Sequence, residues 1–340
     1  MKIVFLCRLF APHIGGVEKH VMQISKRLQE QGHDVVVITE QYQPSLPLHD
    51  TVEGIDVYRI NKKKDDWFQK FRLWHGMWRL RSVLKSADII HCHDVFFWYL
   101  PFRFLFPNKP VYTTFHGYEG FPIQKKAIFM RKISEKLSWG NICIGDFIPK
   151  WYGTKATAVS YGAAEEAFVS TEKRVKKESA VFFGRLDDLT GIRTYVNAYK
   201  LLKKEYPKFE LLVIGDGEDK RILSKDIQHI GFQKYPETYL VVYHFVFVSG
   251  YLSILEALLA KRLVIAVYDN PMKEDYLKLA PFAKFIVIEK DPEKVAEQVA
   301  YYLNHPEEEK KLVDSGYQWA KKQTWKKMVD LYLSVWEIKK

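Results

Sequence analysis

The stretch His244-Phe245-Val246-Phe247-Val248-Ser249-Gly250-Tyr251-Leu252-Ser253-Ile254-Leu255-Glu256-Ala257 decides how the chain is read. An apolar strand, His244 to Val248, runs through Ser249-Gly250-Tyr251 into a helix that starts at Ser253 and reaches about Arg262. A strand delivering its end to a helix start gathers unpaired N–H groups and a positive dipole end, which suits an anionic ligand. Glu256, one turn into that helix, is placed to hold a ligand hydroxyl. A plainer reading competes: Ser253-x-x-Glu256 is also a capping box, satisfying the helix's own first N–H groups. Taken alone, the stretch favours the capping box.

Around it the same alternation recurs: strand Ala180–Leu186, helix Gly191–Tyr206, strand Phe209–Gly215, then strands near Ile227–Gly231, Leu263–Val267 and Phe285–Ile288. Helices at Pro292–Leu303, Pro306–Lys322 and Trp325–Lys339 close the chain. Further out, the polar run Gly162–Glu178 reads as a linker. Before it lies a second series. Lys2–Cys7 is a continuous apolar run, typical of a strand buried on both faces of a parallel sheet. The loop Arg8–Gly16 leads to a helix over Val17–Gln31, then strands at Asp34–Thr39 and Gly54–Ile60. A helical stretch over Asp66–Ser86, strand Ala87–His93 and an aromatic segment, Phe96–Phe106, follow. Strand Pro110–His116, helix Gln124–Ser138 and strands Asn141–Gly145 and Ala156–Tyr161 complete the first half. Strands alternating with helices mean β-α-β winding around a parallel sheet. The expectation is an α/β chain of two Rossmann-like, doubly wound domains facing across a cleft, the default ligand site.

Composition narrows the class. At 340 residues the chain can hold two domains with full cores. No apolar run approaches a membrane span, and Met1-Lys2 leads into a strand, so neither a spanning helix nor a signal peptide is expected. Three isolated cysteines, Cys7, Cys92 and Cys143, make neither a disulfide framework nor a zinc site, which points to a reducing cytosol. The net charge of +11 is concentrated: between Asn61 and Lys85 eight basic residues face only Asp65 and Asp66. Such a patch suits an anionic surface or ligand.

Gly15-Gly16, between the first strand and helix, let a backbone approach a phosphate or sugar, or simply make a tight turn. No third glycine follows in register, so the dinucleotide fingerprint, and a nicotinamide dehydrogenase with it, is excluded. His116, in Thr113-Thr114-Phe115-His116-Gly117, sits at a strand's carboxyl end, where it either meets a ligand hydroxyl or serves a loop hydrogen bond. In His91-Cys92-His93-Asp94, His93 and Asp94 are expected toward the ligand and His91 in the core. Arg185, in Gly184-Arg185-Leu186, has forked donors suited to a diphosphate, or pairs with Asp187 or Asp188. Ile214-Gly215-Asp216-Gly217 is a strand–turn–helix junction. At helical spacing Trp67, Phe71, Trp74 and Trp78 form a stripe with Arg72 and Arg79 beside it, which fits either a core face or a membrane-interface helix. Lys125, Lys126, Arg131, Lys132 and Lys136 extend the basic face or belong to an ordinary solvated helix. There is no nucleophile elbow, Walker loop, H-E-x-x-H or Asp-x-Asp. Nucleic-acid binding would account for the charge but not for the ordered motifs.

In this order the pieces resemble the retaining glycosyltransferases of family 4, which have a GT-B fold. Phe10-Ala11-Pro12-His13-Ile14-Gly15-Gly16-Val17-Glu18 looks like the family's glycine loop. Asp88–Asp94 and Thr114–Gly117 occupy its next two landmarks, Tyr161-Gly162 stands where it has Asn-Gly, and Gly184–Leu186, Val213–Gly217 and Ile254–Ala257 match those of its second half. The resemblance implies a nucleotide-sugar donor, UDP- or GDP-linked, and no metal or other cofactor. It puts Gly15 and Gly16 against the donor diphosphate and sugar, with His116 at the reacting sugar. It assigns Arg185 to the diphosphate, Glu256 to the ribose, and the N–H groups near Leu252 and Ser253 to the distal phosphate, with Gly184, Thr190 and Gly215 lining the donor site. His93, Asp94 and Tyr161 fall on the acceptor side.

Two positions depart from the pattern. Thr190 stands where the family has a second diphosphate lysine, and Val248 where it has a first glutamate. The expectation is therefore a hexosyltransferase with a glycan or lipid-linked acceptor, cytoplasmic and peripheral on the inner membrane face through Trp67–Leu84. The alternative is a catalytically impaired relative that binds sugar nucleotides or serves as a scaffold subunit. The domains are expected at 1–165 (acceptor) and 166–322 (donor), with a C-terminal helix, 323–340, packing back on the first.

Overall fold

The computed structural model describes residues 1–61, 69–165 and 175–338. Trp67, Lys62 to Lys64, Asp65, Asp66 and most of the expected linker fall outside the described residues. The chain divides into two compact units, Met1–Ser160 with Trp325–Lys340, and Tyr161–Thr324.

The strands of the first unit are β1 Lys2–Cys7, β2 Asp34–Gln41, β3 His49–Val52, β4 Ile55–Asn61, β5 Ile89–His93, β6 Val111–Phe115, β7 Gly140–Ile144 and β8 Ala158–Ser160. They form one sheet in the order β3-β4-β2-β1-β5-β6-β7-β8. Every neighbouring pair is parallel except β3 with β4. Covered on both faces, β1, β5, β6 and β7 are buried almost throughout, which the apolar run of β1 announces and the His, Thr and Asn residues of β5, β6 and β7 do not. One face packs Val4, Leu6, Val36, Ile38, Ile90 and Cys92 against Met77, Leu84, Trp98, Tyr99 and Phe102. The C-terminal helix Trp325–Trp336 belongs to this unit and buries Trp325, Met328, Val329, Tyr332, Val335 and Trp336.

The second unit has β9 Lys176–Phe183, β10 Glu210–Ile214, β11 Gln228–His229, β12 Tyr243–Phe247, β13 Leu263–Val267 and β14 Val287–Glu289. All are parallel, in the order β11-β10-β9-β12-β13-β14. In both sheets the first strand lies between strands wound in opposite directions, which puts the switch points at β1/β5 and β9/β12. Open α/β sheets bind ligands outside the carboxyl ends of strands at such points.

Local structure departs from or sharpens the sequence reading at four places. The long helix near residue 80 is two helices, Gln69–Arg79 and Arg81–Ser86, broken at Leu80. The aromatic segment after β5 is itself a helix, Phe96–Leu105, despite Pro101 inside it. The described part of the Trp stripe is not a core face: Phe71 is 59% and Trp78 48% exposed, while Met77 carries the packing. Finally, the helix after β12 starts at Tyr251, not Ser253, with Gly250 at its N-cap and no side-chain cap bond. Ser253 instead donates its hydroxyl back to Gly250 O at 2.9 Å, so the capping box does not form.

Candidate functional site

In the first unit the switch point is lined with imidazoles. Gly15 caps the helix Gly16–Glu30 in an extended conformation (φ −171°) that any residue adopts. The missing Cβ matters for another reason: it leaves room for the Glu18 carboxylate to fold back against Gly15. Glu18 lies 3.0 Å from His13 Nδ1, so the glycine loop is tied to its helix. One turn further, that helix carries His20 inward, a residue not anticipated from sequence.

His91 and His93 alternate with Cys92 along β5 and therefore share a face; both are buried, so His93 is no more open than His91. Trp336 Nε1 donates to His91 Nδ1 at 2.9 Å, which leaves the proton on His91 Nε2 to donate to Thr114 Oγ1 at 2.7 Å. The Thr114 hydroxyl then meets Tyr332 Oη at 2.8 Å, and Tyr332 Oη meets His20 Nε2 at 2.8 Å. His93 Nδ1 and His116 Nε2 share a second hydrogen bond of 2.8 Å.

Burial holds all of these rings neutral. It pushes His91, His93 and His20 well below the ordinary histidine range, and His116 down to about 3, with the neighbouring imidazoles adding to the effect. Asp94 is strained (φ +59°) and its carboxylate accepts the His116 backbone N–H at 3.1 and 3.2 Å. Burial raises its carboxyl to about 6, partly offset by the Arg131 guanidinium. Arg131, expected on the basic face, is turned inward: it lies 3.9 Å over the Tyr152 ring and donates to Gly117 O and Glu119. Nitrogens of His20, His93 and His116 lie within 4.8 Å of one another. Nitrogens sharing a tetrahedral zinc sit about 3.3 Å apart, whereas His93 and His116 are 2.8 Å apart with a proton between them. As it stands the trio is neutral: His20 meets the Tyr332 hydroxyl, His93 and His116 meet each other, and His93 Nε2 is buried without a hydrogen-bond partner.

In the second unit the switch point lies where β9 and β12 end side by side, Phe182 opposite Phe247. Gly184 (φ +151°) and Gly215 (φ +140°) bring two loops together so tightly that a Cβ on Gly215 would collide with Gly184 O. Gly184 N–H donates to Ile214 O at 3.0 Å and Leu186 N–H to Asp216 O at 2.9 Å. Arg185 leaves this platform 63% exposed, with Nε 3.1 Å from Asp187 Oδ2. Thr190 Oγ1 lies 2.8 Å from both Arg185 O and Asp187 O, sharing its single proton between them, and so fixes the loop that carries the arginine.

On the β12 side Val248 is buried and Ser249 is fully engaged: its Oγ accepts Val267 N–H at 2.9 Å and meets Tyr195 Oη at 2.8 Å. The helix Tyr251–Leu259 begins immediately afterwards. Tyr251 N–H is taken by Tyr276 Oη at 3.0 Å, so the first-turn donors left without a partner inside the helix are those of Leu252 and Ser253. Glu256 is half-buried one turn along. The Leu252 side chain lies against Gly162, and the Tyr161 ring is 5.9 Å from Tyr251, all within the second unit.

Lys273 was not anticipated. Asn270 caps the helix Pro271–Lys278 by accepting Lys273 N–H at 2.9 Å. Lys273 then falls in the buried stripe Met272, Lys273, Tyr276, Leu277, a charge where periodicity puts core. Its Nζ donates to Ser249 O at 2.7 Å and lies 4.0 Å from the Tyr276 ring.

Two family models match in succession, Glycosyltransferase Family 4 over residues 14–148 and Glycosyl transferases group 1 over residues 163–319. Among curated proteins, the GDP-mannose:cellobiosyl-diphosphopolyprenol alpha-mannosyltransferase of Xanthomonas campestris is 23% identical over 254 residues, 68% of this chain and 65% of that protein. A human phosphatidylinositol N-acetylglucosaminyltransferase protein is 25% identical over 249 residues, 66% of this chain and 50% of that protein. The alignments thus span less than two thirds of these relatives' own length. The fold matches sucrose-phosphate synthase from Thermosynechococcus elongatus with a TM-score of 0.77 at 15% identity, covering 99% of this chain and 98% of that one. It also matches WaaG, a glycosyltransferase of lipopolysaccharide biosynthesis, with a TM-score of 0.70 at 12% identity, covering 97% and 99%.

Proposed function

The chain belongs to the GT-B glycosyltransferases of family 4 and group 1, and on that premise we propose that it moves a hexose from a UDP- or GDP-linked sugar to an acceptor with retention. The observation that carries this reading is in the second unit, where Arg185 and the first turn of the helix Tyr251–Leu259 share one switch-point edge. A guanidinium fork and free helix-terminal N–H groups are matched to a departing nucleoside diphosphate. Stabilising that leaving group needs positive charge and oriented dipoles, so the reading calls for no metal and no cofactor beyond the nucleotide sugar. Glu256 would hold the ribose, and His116 the reacting sugar.

The Xanthomonas relative is named for a diphosphopolyprenol and the human one for phosphatidylinositol, which supports a lipid-linked acceptor. Surface chemistry agrees. The helices Gln69–Arg79, Phe96–Leu105 and Lys125–Leu137 expose Phe71, Trp78, Phe104 and Phe129, with Lys70, Arg79, Arg81, Lys125 and Lys126 beside them. Exposed aromatics rimmed by cations suit an anionic membrane face. Among the described residues no helix is long and apolar enough to cross a membrane. Attachment at the surface of the cytoplasmic leaflet is therefore part of the proposal.

A panel of UDP- and GDP-sugars tests it, by calorimetry for binding and by release of the diphosphate for turnover. Arg185→Ala should abolish turnover. Failure of every nucleotide sugar to bind would sink the donor reading. A non-catalytic scaffold remains the second reading, favoured by the apolar Val248 and by the Thr190 hydroxyl being spent on the backbone.

A further inference from the structure

We propose that Lys273 is a second cation for the diphosphate of the donor, reaching it from the helix Pro271–Lys278 beside Arg185 and the first turn of the helix Tyr251–Leu259. The inference rests on the donor reading above and adds a residue to it.

Lys273 is 6% exposed, and among the described residues no carboxylate lies within 4.0 Å of its Nζ. Its one hydrogen-bond acceptor is Ser249 O, at 2.7 Å. An ammonium has three donors, so two are left over at a buried position. A buried charge without a counter-ion is unfavourable by several kcal/mol and is usually avoided by losing the proton. The surroundings set that balance. Burial lowers the Lys273 pKa most, to about 7; Asp269 and Asp187 push it up, and Arg185 pushes it down.

Position narrows the ligand to a diphosphate. Ser249 directly precedes Gly250, the N-cap of the helix whose first turn carries the Leu252 and Ser253 N–H groups. Arg185 stands at the end of the adjacent strand β9. Three kinds of donor therefore meet at one strand edge: a guanidinium fork, helix-terminal amides and an ammonium. A carboxylate would be satisfied by Arg185 alone, whereas a diphosphate spreads its charge over two phosphorus centres and can use all three. Thr190 is neutral and cannot supply the missing charge, and its hydroxyl is already bound to Arg185 O and Asp187 O. When the dianion arrives, Lys273 takes up a proton and pairs with it.

Calorimetry on the full chain with UDP and GDP tests this, at pH 8 in two buffers of different ionisation enthalpy. Lys273→Met should weaken diphosphate binding roughly 10- to 100-fold, the loss of one charge-assisted contact. Binding of uridine or guanosine should change less than about twofold, and the proton uptake of the wild type should disappear. Lys273→Gln keeps a donor for Ser249 O without the charge and should behave like Lys273→Met. If either variant binds the diphosphate as tightly as the wild type, or loses nucleoside and diphosphate equally, Lys273 is structural and the proposal falls. If the wild type binds neither diphosphate, the donor reading itself fails and takes the inference with it.

Discussion

Tyr332, on the last helix, meets His20, on the first, through a 2.8 Å hydrogen bond between its hydroxyl and the imidazole Nε2. The same hydroxyl oxygen meets Thr114 at the end of β6 at 2.8 Å. A phenol and an imidazole 312 residues apart in sequence thus close the first unit around its histidines. Tyr332→Phe keeps the ring and strands two buried polar groups, so it should cost about 1–3 kcal/mol in urea unfolding. A cost below about 0.5 kcal/mol would mean that the hydroxyl chain does not hold the helix.

The histidines also fix the acid behaviour. His20, His91, His93 and His116 titrate below their unfolded value, His116 at about 3. As pH falls through 6.5 the unfolded chain gains protons that the folded one refuses, so stability falls with pH down to about 3. Asp94, raised to about 6, runs the other way: its contribution is fully present below the unfolded carboxylate value and is lost as pH rises through 6. Four imidazoles outweigh one carboxyl. The urea midpoint should drop between pH 7 and pH 4.5, and His20→Gln should make that drop shallower. A midpoint constant over this range would contradict the buried neutral cluster.

Helix geometry gives a smaller test. Because Ser253 Oγ bonds to Gly250 O within the first turn, it is not the cap. Ser253→Ala should change stability by less than about 0.5 kcal/mol, whereas loss of a true Ser cap costs about 1 kcal/mol. Thermal melts of the two proteins decide it.

What could be read in advance, and what could not, follows from where each residue's partner lies. β1 beyond Lys2 and the whole of β13 are buried on both faces, so each appears as an unbroken apolar run. β3, His49 to Val52, is a half-exposed antiparallel edge strand with polar residues and no such signal. The helix Phe96–Leu105 is apolar nearly all round, which erases the periodicity that marks a helix. Arg185 and His116 could be placed at strand ends because β-α-β winding fixes where strand ends go. Lys273 and Tyr332 act on Ser249 and His20 across long sequence separations, where no local pattern records the contact. The early start of the helix after β12 escaped for a related reason: Tyr276, 25 residues on, takes the Tyr251 N–H.

Membrane attachment should depend on aromatic insertion as well as charge. Phe71 and Trp78 are exposed, and Arg81 lies 5.4 Å from the Trp78 ring. A basic residue near an anionic surface contributes about 1 kcal/mol, so Arg79→Glu should weaken partitioning onto phosphatidylglycerol vesicles roughly tenfold. Phe71→Ser with Trp78→Ser should weaken it further and in a salt-independent way. Co-sedimentation that is unchanged for both variants would remove the membrane from the proposal.

Thr190 and Val248 separate an adapted enzyme from a lapsed one. In an adapted site Lys273 already provides the second charge, and the Thr190 hydroxyl holds Arg185 in place through two 2.8 Å bonds. Thr190→Lys would then add a redundant cation while loosening the loop, at a cost of about 1–2 kcal/mol for the lost hydrogen bonds. Val248→Glu would bury a carboxylate in a site now filled by an apolar side chain. Turnover of the best nucleotide sugar by Thr190→Lys/Val248→Glu should therefore stay at or below that of the wild type. A gain of tenfold or more would mean that the site had lost its charge without replacement, and the scaffold reading would take its place.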